Sequence, residues 1–304
     1  MKKPLFKTLA AVLMLFPALC VSSAADTEMM PFLRLPRDPS KLAMAGAGAA
    51  SLGALDAYSA LGGGAFSLLR SERTFDGAAA WQSWSPEMSD YSAVAAGASF
   101  KPLDRVAFSL AFSVDNYQKI ADFVPSDFTF GLGATGALGE SLAASLQLRY
   151  ASQKLWEDVS YNAFCADLLL QYTPLQGLSL AGGLMSLGPK VKGGDGTAYP
   201  IPSSALISCE YVGRPDQDWM ARAVADVNAF FSGHLSAAAG IELGWRDSAF
   251  LRAGYRYATE GAAVPSFFSV GAGLRFYGIG LDVSYIIAED NIGGSLSVGL
   301  GYSF

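Results

Sequence analysis

IGGSLSVGLGYSF, residues Ile292 to Phe304, alternates between apolar side chains and small or polar ones. A period of two places the two kinds on opposite faces of a strand. The apolar face is formed by Leu296, Val298, Leu300, Tyr302 and Phe304. In a soluble protein such an exposed edge promotes aggregation, whereas the last strand of a closed barrel pairs with the first and turns this face toward lipid. The stretch therefore predicts the final strand of a transmembrane barrel.

The composition agrees with this interpretation. The chain has 304 residues, of which 51% are hydrophobic and 16% charged, and its mean hydropathy is +0.29. After the N-terminus, no apolar run approaches the roughly 18 residues that a spanning helix needs. A very large soluble core or a barrel remains, and the 33 glycines, 13 tyrosines and 19 phenylalanines favour a barrel with aromatic girdles.

The alternation recurs from Tyr91 onward in segments of about ten residues. Its clearest copies are Arg105–Asp115, Ser141–Ala151, Ala163–Tyr172, Leu235–Arg246, Leu251–Tyr257, Phe267–Phe276 and Ile279–Ile287. We predict an all-β fold, a transmembrane antiparallel β-barrel of about 14 strands. The pattern is weakest between Phe66 and Trp84.

Short and long connections alternate between these segments. The short turns fall at residues 101–104, 138–140, 173–177, 246–247 and 277–278. The longer polar connections are Asp115–Asp127, Gln153–Ser160, Gly188–Pro202, Thr259–Pro265 and Ala288–Gly294. Outer-membrane barrels have short periplasmic turns and longer external loops, so we expect a bacterial outer-membrane protein with lipid as its surroundings.

The first 25 residues have the features of a signal peptide. Lys2, Lys3 and Lys7 precede an apolar run, Leu9–Leu19, and small residues allow cleavage after Ala24 or Ala25. Acylation of Cys20 is the alternative. Loss of the three lysines would change the formal net charge from −6 to −9, which excludes nucleic-acid binding through a basic surface.

Residues 26–64 interrupt the barrel pattern. Pro31, Pro36 and Pro39 favour extended or irregular backbone, and the Gly/Ala-rich stretch from Ala43 ends in the glycine cluster 62–64. We predict an N-terminal segment that lines or plugs the lumen, followed by the barrel at residues 65–304. A periplasmic tail is the alternative.

Charged residues of both signs occur at the positions that parity assigns to the lumen. This candidate ladder comprises Arg149, Asp167, Glu210, Arg222, Asp226, Glu242, Arg252, Arg256, Arg275 and Asp282, with Asp115 and Arg246 beside it. Selective pores concentrate one sign at a constriction. The balance instead favours ion pairs that stabilise one another, with a substrate-contacting ladder as the alternative.

Motifs for catalysis and cofactors fail their context tests. Gly131–Gly136 matches GxGxxG, but the residues after it alternate with period two instead of opening a helix. The single histidine, His234, is expected to be a solvated turn residue. Cys165 and Cys209 fall on opposite strand faces, which favours two unpaired thiols without excluding a disulfide. We expect no enzyme activity, no metal and no cofactor.

The segment after the signal peptide resembles the N-terminus of the PorV/PorQ family of outer-membrane proteins, which reads FLxI/LxxDAR…MGGAG-A followed by DA…NPA. The matching positions are Phe32, Leu33, Pro36, Asp38, Gly46, Gly48, Asp56 and Ala65. Here Lys41 stands near the usual arginine, and Gly63-Gly64-Ala65 replaces Asn-Pro-Ala. The chain thus resembles a divergent member.

The resemblance implies a FadL-like barrel whose N-terminal segment enters the lumen. It also implies a non-enzymatic shuttle or scaffold for type IX secretion, with protein partners in a complex that secretes cargo or attaches it to the cell surface. The alternative is a FadL-like transporter for a hydrophobic small molecule. Its ligand would enter among Phe123, Val124, Tyr199 and Ile201 and leave through a gap in the wall.

Overall fold

A closed antiparallel barrel is the framework of the molecule. The computed structural model describes residues 28–84, 91–194, 196–262, 264–288 and 292–304. Within these ranges fourteen strands form the wall, and β1 pairs with both β2 and β16 to close it. The expected signal peptide and its cleavage site lie outside the described residues. No helix in the described part of the chain has the length and apolarity required to span a membrane.

The strands are long and joined mostly to their sequence neighbours. Those of the wall are β1 (Phe75–Trp84), β2 (Tyr91–Leu103), β3 (Val106–Asn116), β4 (Ser126–Ala137), β5 (Leu142–Trp156), β6 (Val159–Leu175), β7 (Leu178–Leu187), β10 (Ser204–Gly213), β11 (Trp219–Phe230), β12 (Leu235–Trp245), β13 (Ala249–Ala258), β14 (Phe267–Phe276), β15 (Ile279–Ile287) and β16 (Leu296–Ser303). A small hairpin, β8 (Val191–Lys192) and β9 (Ala198–Tyr199), lies in the connection from β7 to β10.

The alternating stretch near the C-terminus, residues 292–304, contains strand β16. This strand closes the barrel against β1, with Asp76 opposite Ser303 and Ser83 opposite Leu296. The Phe304 ring stacks on Phe75 at 5.3 Å between centroids. The predicted closing strand and the fourteen-stranded architecture are therefore confirmed.

The two faces of the wall differ as the period-two pattern predicts. On β3, Phe108, Leu110 and Phe112 are 40–43% exposed, whereas Ala107 and Ala111 are fully buried. The exposed face is apolar, as contact with lipid requires. The inner face is buried because the N-terminal segment fills the lumen.

We call residues 28–74 the lumen segment. It begins at the end of the barrel that carries the longer connections, the loop end, where the Met29 amide donates to the Pro200 carbonyl (2.9 Å). It then crosses the lumen to the turn end, where β1 begins. Its regular structure consists of short helical turns at Pro31–Arg34, Pro39–Leu42, Ser59–Leu61 and Phe66–Leu69.

Two boundaries differ from the sequence-based expectation. The wall begins at Phe75, and residues 65–74 belong to the lumen segment, where Phe66–Leu69 forms a helical turn packed against Ala107 and Ala143. The connection expected at Gln153–Ser160 is mostly strand, since β5 and β6 continue to a tight hairpin at Trp156 and Val159. Backbone pairing continues there through Lys154 and Ser160, so these polar residues belong to the strands.

The wall is incomplete on one side of β6. Its pairing with β7 runs from Leu175 to Ala166, whereas pairing with β5 continues to Val159. A bulge ends the β6–β7 ladder, where Ser186 has a left-handed backbone (φ 54°). The connection carrying β8 and β9 covers the unpaired part of β6.

Candidate functional site in the filled lumen

The lumen segment is held by hydrogen bonds from its backbone to side chains of the wall. Asp226 Oδ2 accepts from the amides of Gly48 (3.1 Å) and Ala49 (3.2 Å). Ala50 N–H donates to Ser208 Oγ at 2.9 Å, and Leu52 N–H donates to Glu210 at 2.6 Å. Irregular backbone removed from water must find such partners. The Gly/Ala-rich segment forms no sheet of its own. Polar side chains on the lumen face of the barrel therefore accept the hydrogen bonds of its backbone amides.

A continuous ion-pair ladder occupies the half of the lumen near the turn end. Strand register places Arg222 opposite Glu242, and Glu242 opposite Arg252. Glu242 accepts from Arg222 at 2.8 Å and also from Arg252. The ladder extends at one end to Glu210, and at the other through Asp282 to Arg275.

Gly273 allows the ladder to cross strand β14. Arg252 reaches Asp282 at 2.7 Å, although β14 lies between their strands. A Cβ atom at Gly273 would lie 2.5 Å from Asp282 Oδ1 and 2.7 Å from Arg252 Nη1. A methyl group at this position would therefore displace at least one of the two charged groups.

Arg149 connects the bulge in the wall with two points of the lumen segment. Its Nη2 donates to Asp167 (2.7 Å) and to Ser186 Oγ (2.8 Å). Its Nη1 donates to the carbonyls of Leu33 (3.1 Å) and Leu61 (3.0 Å). The side chain is 1% exposed, so these partners, and not water, stabilise its positive charge.

The remaining ladder candidates have separate positions. Arg256 donates to the Ala45 carbonyl (3.1 Å) and to Ser236 Oγ (3.2 Å). Asp115 pairs with Arg37 of the lumen segment through two contacts of 2.6 Å. Arg246 lies outside the lumen in an exposed pair with Asp218, because it falls in a turn where strand parity no longer applies.

The family-motif positions all lie in the lumen segment and mainly shape it. Phe32 and Leu33 are buried in an apolar cluster at the loop end. Asp38 caps the turn at Pro39–Leu42 by accepting from Ser40 N–H (2.8 Å). Gly46, which has φ +77°, lies against Pro36, whose carbonyl accepts from Gln82.

The last motif positions, Asp56 and Ala65, attach the segment near the turn end. Asp56 Oδ2 accepts from Leu68 N–H (2.7 Å), and its own amide donates to Asp76 (3.0 Å). Burial, with Asp76 next in importance, raises the pKa of Asp56 to about 7. Ala65 N–H donates to Thr135 Oγ1 at 3.0 Å.

Glycines on the inner wall, which the sequence analysis did not identify as site residues, let the lumen segment approach closely. A Cβ at Gly131 would lie 2.0 Å from the Ala60 carbonyl oxygen, and one at Gly97 would lie 2.2 Å from that of Ala57. Gly131 also begins the GxGxxG match, which lies within strand β4. Glycine at lumen parity is the sequence signal that would have revealed this contact.

A smaller and a larger cavity border the lumen segment. The smaller, of about 110 Å³, lies between the segment and the inner wall near the loop end. The larger, of about 910 Å³, opens at the turn end and is lined by residues that include Arg73, Tyr211 and Phe250.

His234 and Cys165 are buried, whereas Cys209 is partly exposed. His234 is 8% exposed and packs against Gly261. The expectation of a solvated histidine was therefore wrong, because the loop containing Gly261 covers this turn. Cys165 is buried, Cys209 is partly exposed, and both are free thiols.

The fold of this chain, a closed fourteen-stranded antiparallel barrel with an apolar outer face and a filled polar lumen, is similar to the folds of solved outer-membrane proteins. The CymD monoaromatic hydrocarbon channel matches with a TM-score of 0.63 and 10% identity, over 89% of this chain and 98% of that one. The P. putida toluene transporter TodX matches with a TM-score of 0.56 and 13% identity, over 86% and 97%. Acinetobacter baumannii Omp33 matches with a TM-score of 0.50 and 11% identity, over 76% of this chain and 97% of that one.

These likenesses concern the fold. No protein-family model matches the chain, and no curated protein does. The protein resides in the bacterial outer membrane, so the turn end faces the periplasm and the loop end the cell exterior.

Proposed function

We propose that this protein carries hydrophobic small molecules across the outer membrane, without catalysing a reaction on them. The observation that carries this proposal is the incomplete wall beside β6. Residues 159–165 of β6 pair with β5 but not with β7. A hydrophobic ligand would pass here from the loops toward the membrane interior, once the connection that covers β6 moved aside, without crossing the filled lumen.

The covering segment has the chemistry of a gate for apolar ligands. Ile201 and Val191 are buried there in one apolar cluster with Phe32 and Met30. Of the other residues expected at the point of ligand uptake, Phe123 is buried against the Trp156 ring, Val124 is exposed and Tyr199 is half-buried. The similar folds of CymD, a monoaromatic hydrocarbon channel, and TodX, a toluene transporter, support the same class of ligand.

Uptake by living cells tests the proposal. A deletion strain is expected to take up a radiolabelled monoaromatic hydrocarbon more slowly than wild type, and the intact gene should restore the rate. Ile201→Asp puts a charge into the apolar cover and is expected to restore it only in part. Leu138→Asp, at an exposed turn on the periplasmic end, is the matched control and should restore it fully.

A shuttle or scaffold for type IX secretion is the second candidate. The Phe32–Ala65 resemblance favours it, and so does a lumen occupied along its length by backbone rather than by an open channel. Its contact surface would be the connection that carries β8 and β9. Normal hydrocarbon uptake by the deletion strain, together with loss of cargo from the cell surface and capture of secretion proteins from solubilised membranes, would establish this candidate and refute transport.

A further inference from the structure

The smaller cavity, near the loop end, has more positive than negative charge in its lining. Four cations, Arg34, Arg37, Lys41 and Arg256, and two acids, Asp38 and Asp226, surround about 110 Å³. A water-sized group needs roughly 10–15 Å³ of such volume, so the cavity holds a few groups of that size.

The acids in this lining are engaged with backbone and hydroxyl donors instead of with the cations. Asp226 accepts from Gly48 N–H, Ala49 N–H and Ser208 Oγ. Asp38 accepts from Ser40 N–H as a helix cap. Within the described residues neither acid forms an ion pair at contact distance, and Arg37 is neutralised by Asp115.

Three cations therefore face the cavity without a carboxylate in contact. Arg256 is 7% exposed, and its Nε and Nη1 bind Ala45 and Ser236, while Nη2 has no acceptor in the described part of the chain. The ammonium group of Lys41 makes no hydrogen bond in the described part of the chain and interacts with Asp226 and Asp56 only at longer range. Arg34 contacts Asn228 and the face of the Phe230 ring.

We propose that this cavity is a binding site for one small monoanion, of halide or formate type, held by Arg256 from the wall and by Lys41 and Arg34 from the lumen segment. One negative charge balances the three cations and two acids that remain after Arg37 pairs with Asp115. Buried charge without a partner is costly. The anion would thus join the segment to the wall, whatever the protein transports.

Bromide provides a direct test. Crystals of the detergent-solubilised protein soaked in sodium bromide are expected to show an anomalous peak within hydrogen-bonding reach of Arg256 and Lys41. A peak only at exposed arginines such as Arg246 would mean an adventitious ion only and would overturn the proposal.

Thermal unfolding in chloride and in bulky gluconate, at equal ionic strength, tests the same site in solution. Wild type is expected to unfold at a higher temperature in chloride. Lys41→Gln should need roughly tenfold more chloride for half of that effect, because a charge-assisted contact is lost. Arg246→Gln, at an exposed pair, should respond as wild type. An unchanged chloride dependence in Lys41→Gln would refute the site.

Carboxylates distinguish a free anion from the head group of a larger ligand. Formate is expected to displace bromide at least as well as hexanoate does, since the cavity accepts only a small group. Displacement by hexanoate alone would overturn the proposal of a small free anion.

Discussion

The two halves of the lumen use the same residue types in different ways. Near the periplasmic end, Arg222, Glu242, Arg252 and Asp282 pair with one another from strand to strand. Nearer the cell exterior, Asp226 and Arg256 bind the backbone of the lumen segment. The first set mainly joins neighbouring strands of the wall, although Arg222 also donates to Ser51 of the lumen segment (3.0 Å). The second set mainly joins the wall to the segment. Charge at lumen parity does not by itself indicate which of these roles a residue has.

Loss of charge at the centre of the ladder should give the largest effect. Glu242→Gln leaves Arg222 and Arg252 buried without their shared partner, and breaking such a pair costs about 3–5 kcal/mol of unfolding free energy. Urea unfolding in lipid vesicles, followed by tryptophan fluorescence, measures the loss. Asp218→Asn, in an exposed pair with Arg246, is the control and should cost about 0–1 kcal/mol.

Asp226→Asn tests the other half of the comparison. It weakens two backbone contacts of the lumen segment, and hydrogen bonds to a charged group contribute about 1.5–3 kcal/mol each. We expect openings in planar-bilayer conductance that wild type lacks, with wall stability largely retained. Glu242→Gln should remain closed in the same assay. Equal conductance in the two variants would remove the distinction between the two halves.

Gly131→Ala separates steric support from charge. The added methyl group would overlap the Ala60 carbonyl, and overpacking typically costs about 1–3 kcal/mol. The expected result is faster proteolysis or hydrogen exchange of residues 57–62. Gly139→Ala, at a turn with no atom within 4 Å of the new Cβ, should behave as wild type. If hydrogen exchange is equally fast in both variants, the close approach of Ala60 to Gly131 does not stabilise the lumen segment.

Acidity should adjust the attachment of the lumen segment at a single carboxyl group, Asp56. Its pKa of about 7 lies above the ordinary 3.8, so the folded segment retains a proton that the unfolded segment releases. The stabilisation is complete below about pH 4 and is lost as pH rises through 7. Hydrogen exchange of residues 54–68 should therefore be slower at pH 5 than at pH 8, and Asp56→Asn should reduce the difference. Slower exchange at the higher pH would contradict the assignment.

The sequence was sufficient to predict the strands of the wall, because the alternation of apolar and polar residues can be read within each segment alone. The positions of Phe267–Phe276 and Ile279–Ile287 agree with the structure residue for residue. It was insufficient for β1, where three consecutive alanines at 78–80 hide the alternation. It could not reveal that Asp226 binds amides whereas Glu242 binds arginines, because that depends on where the lumen segment passes.

The path of the lumen segment also constrains how the molecule assembles. Residues 28–74 precede β1 and cross the lumen, and the β1–β16 seam closes around them. Threading this segment into a finished barrel would require it to pass as flexible chain through a hole that it fills. The simpler order is that the segment lies in place before β16 reaches β1. The strands would then assemble around the lumen segment, whose width would set the circumference of the barrel before β16 pairs with β1.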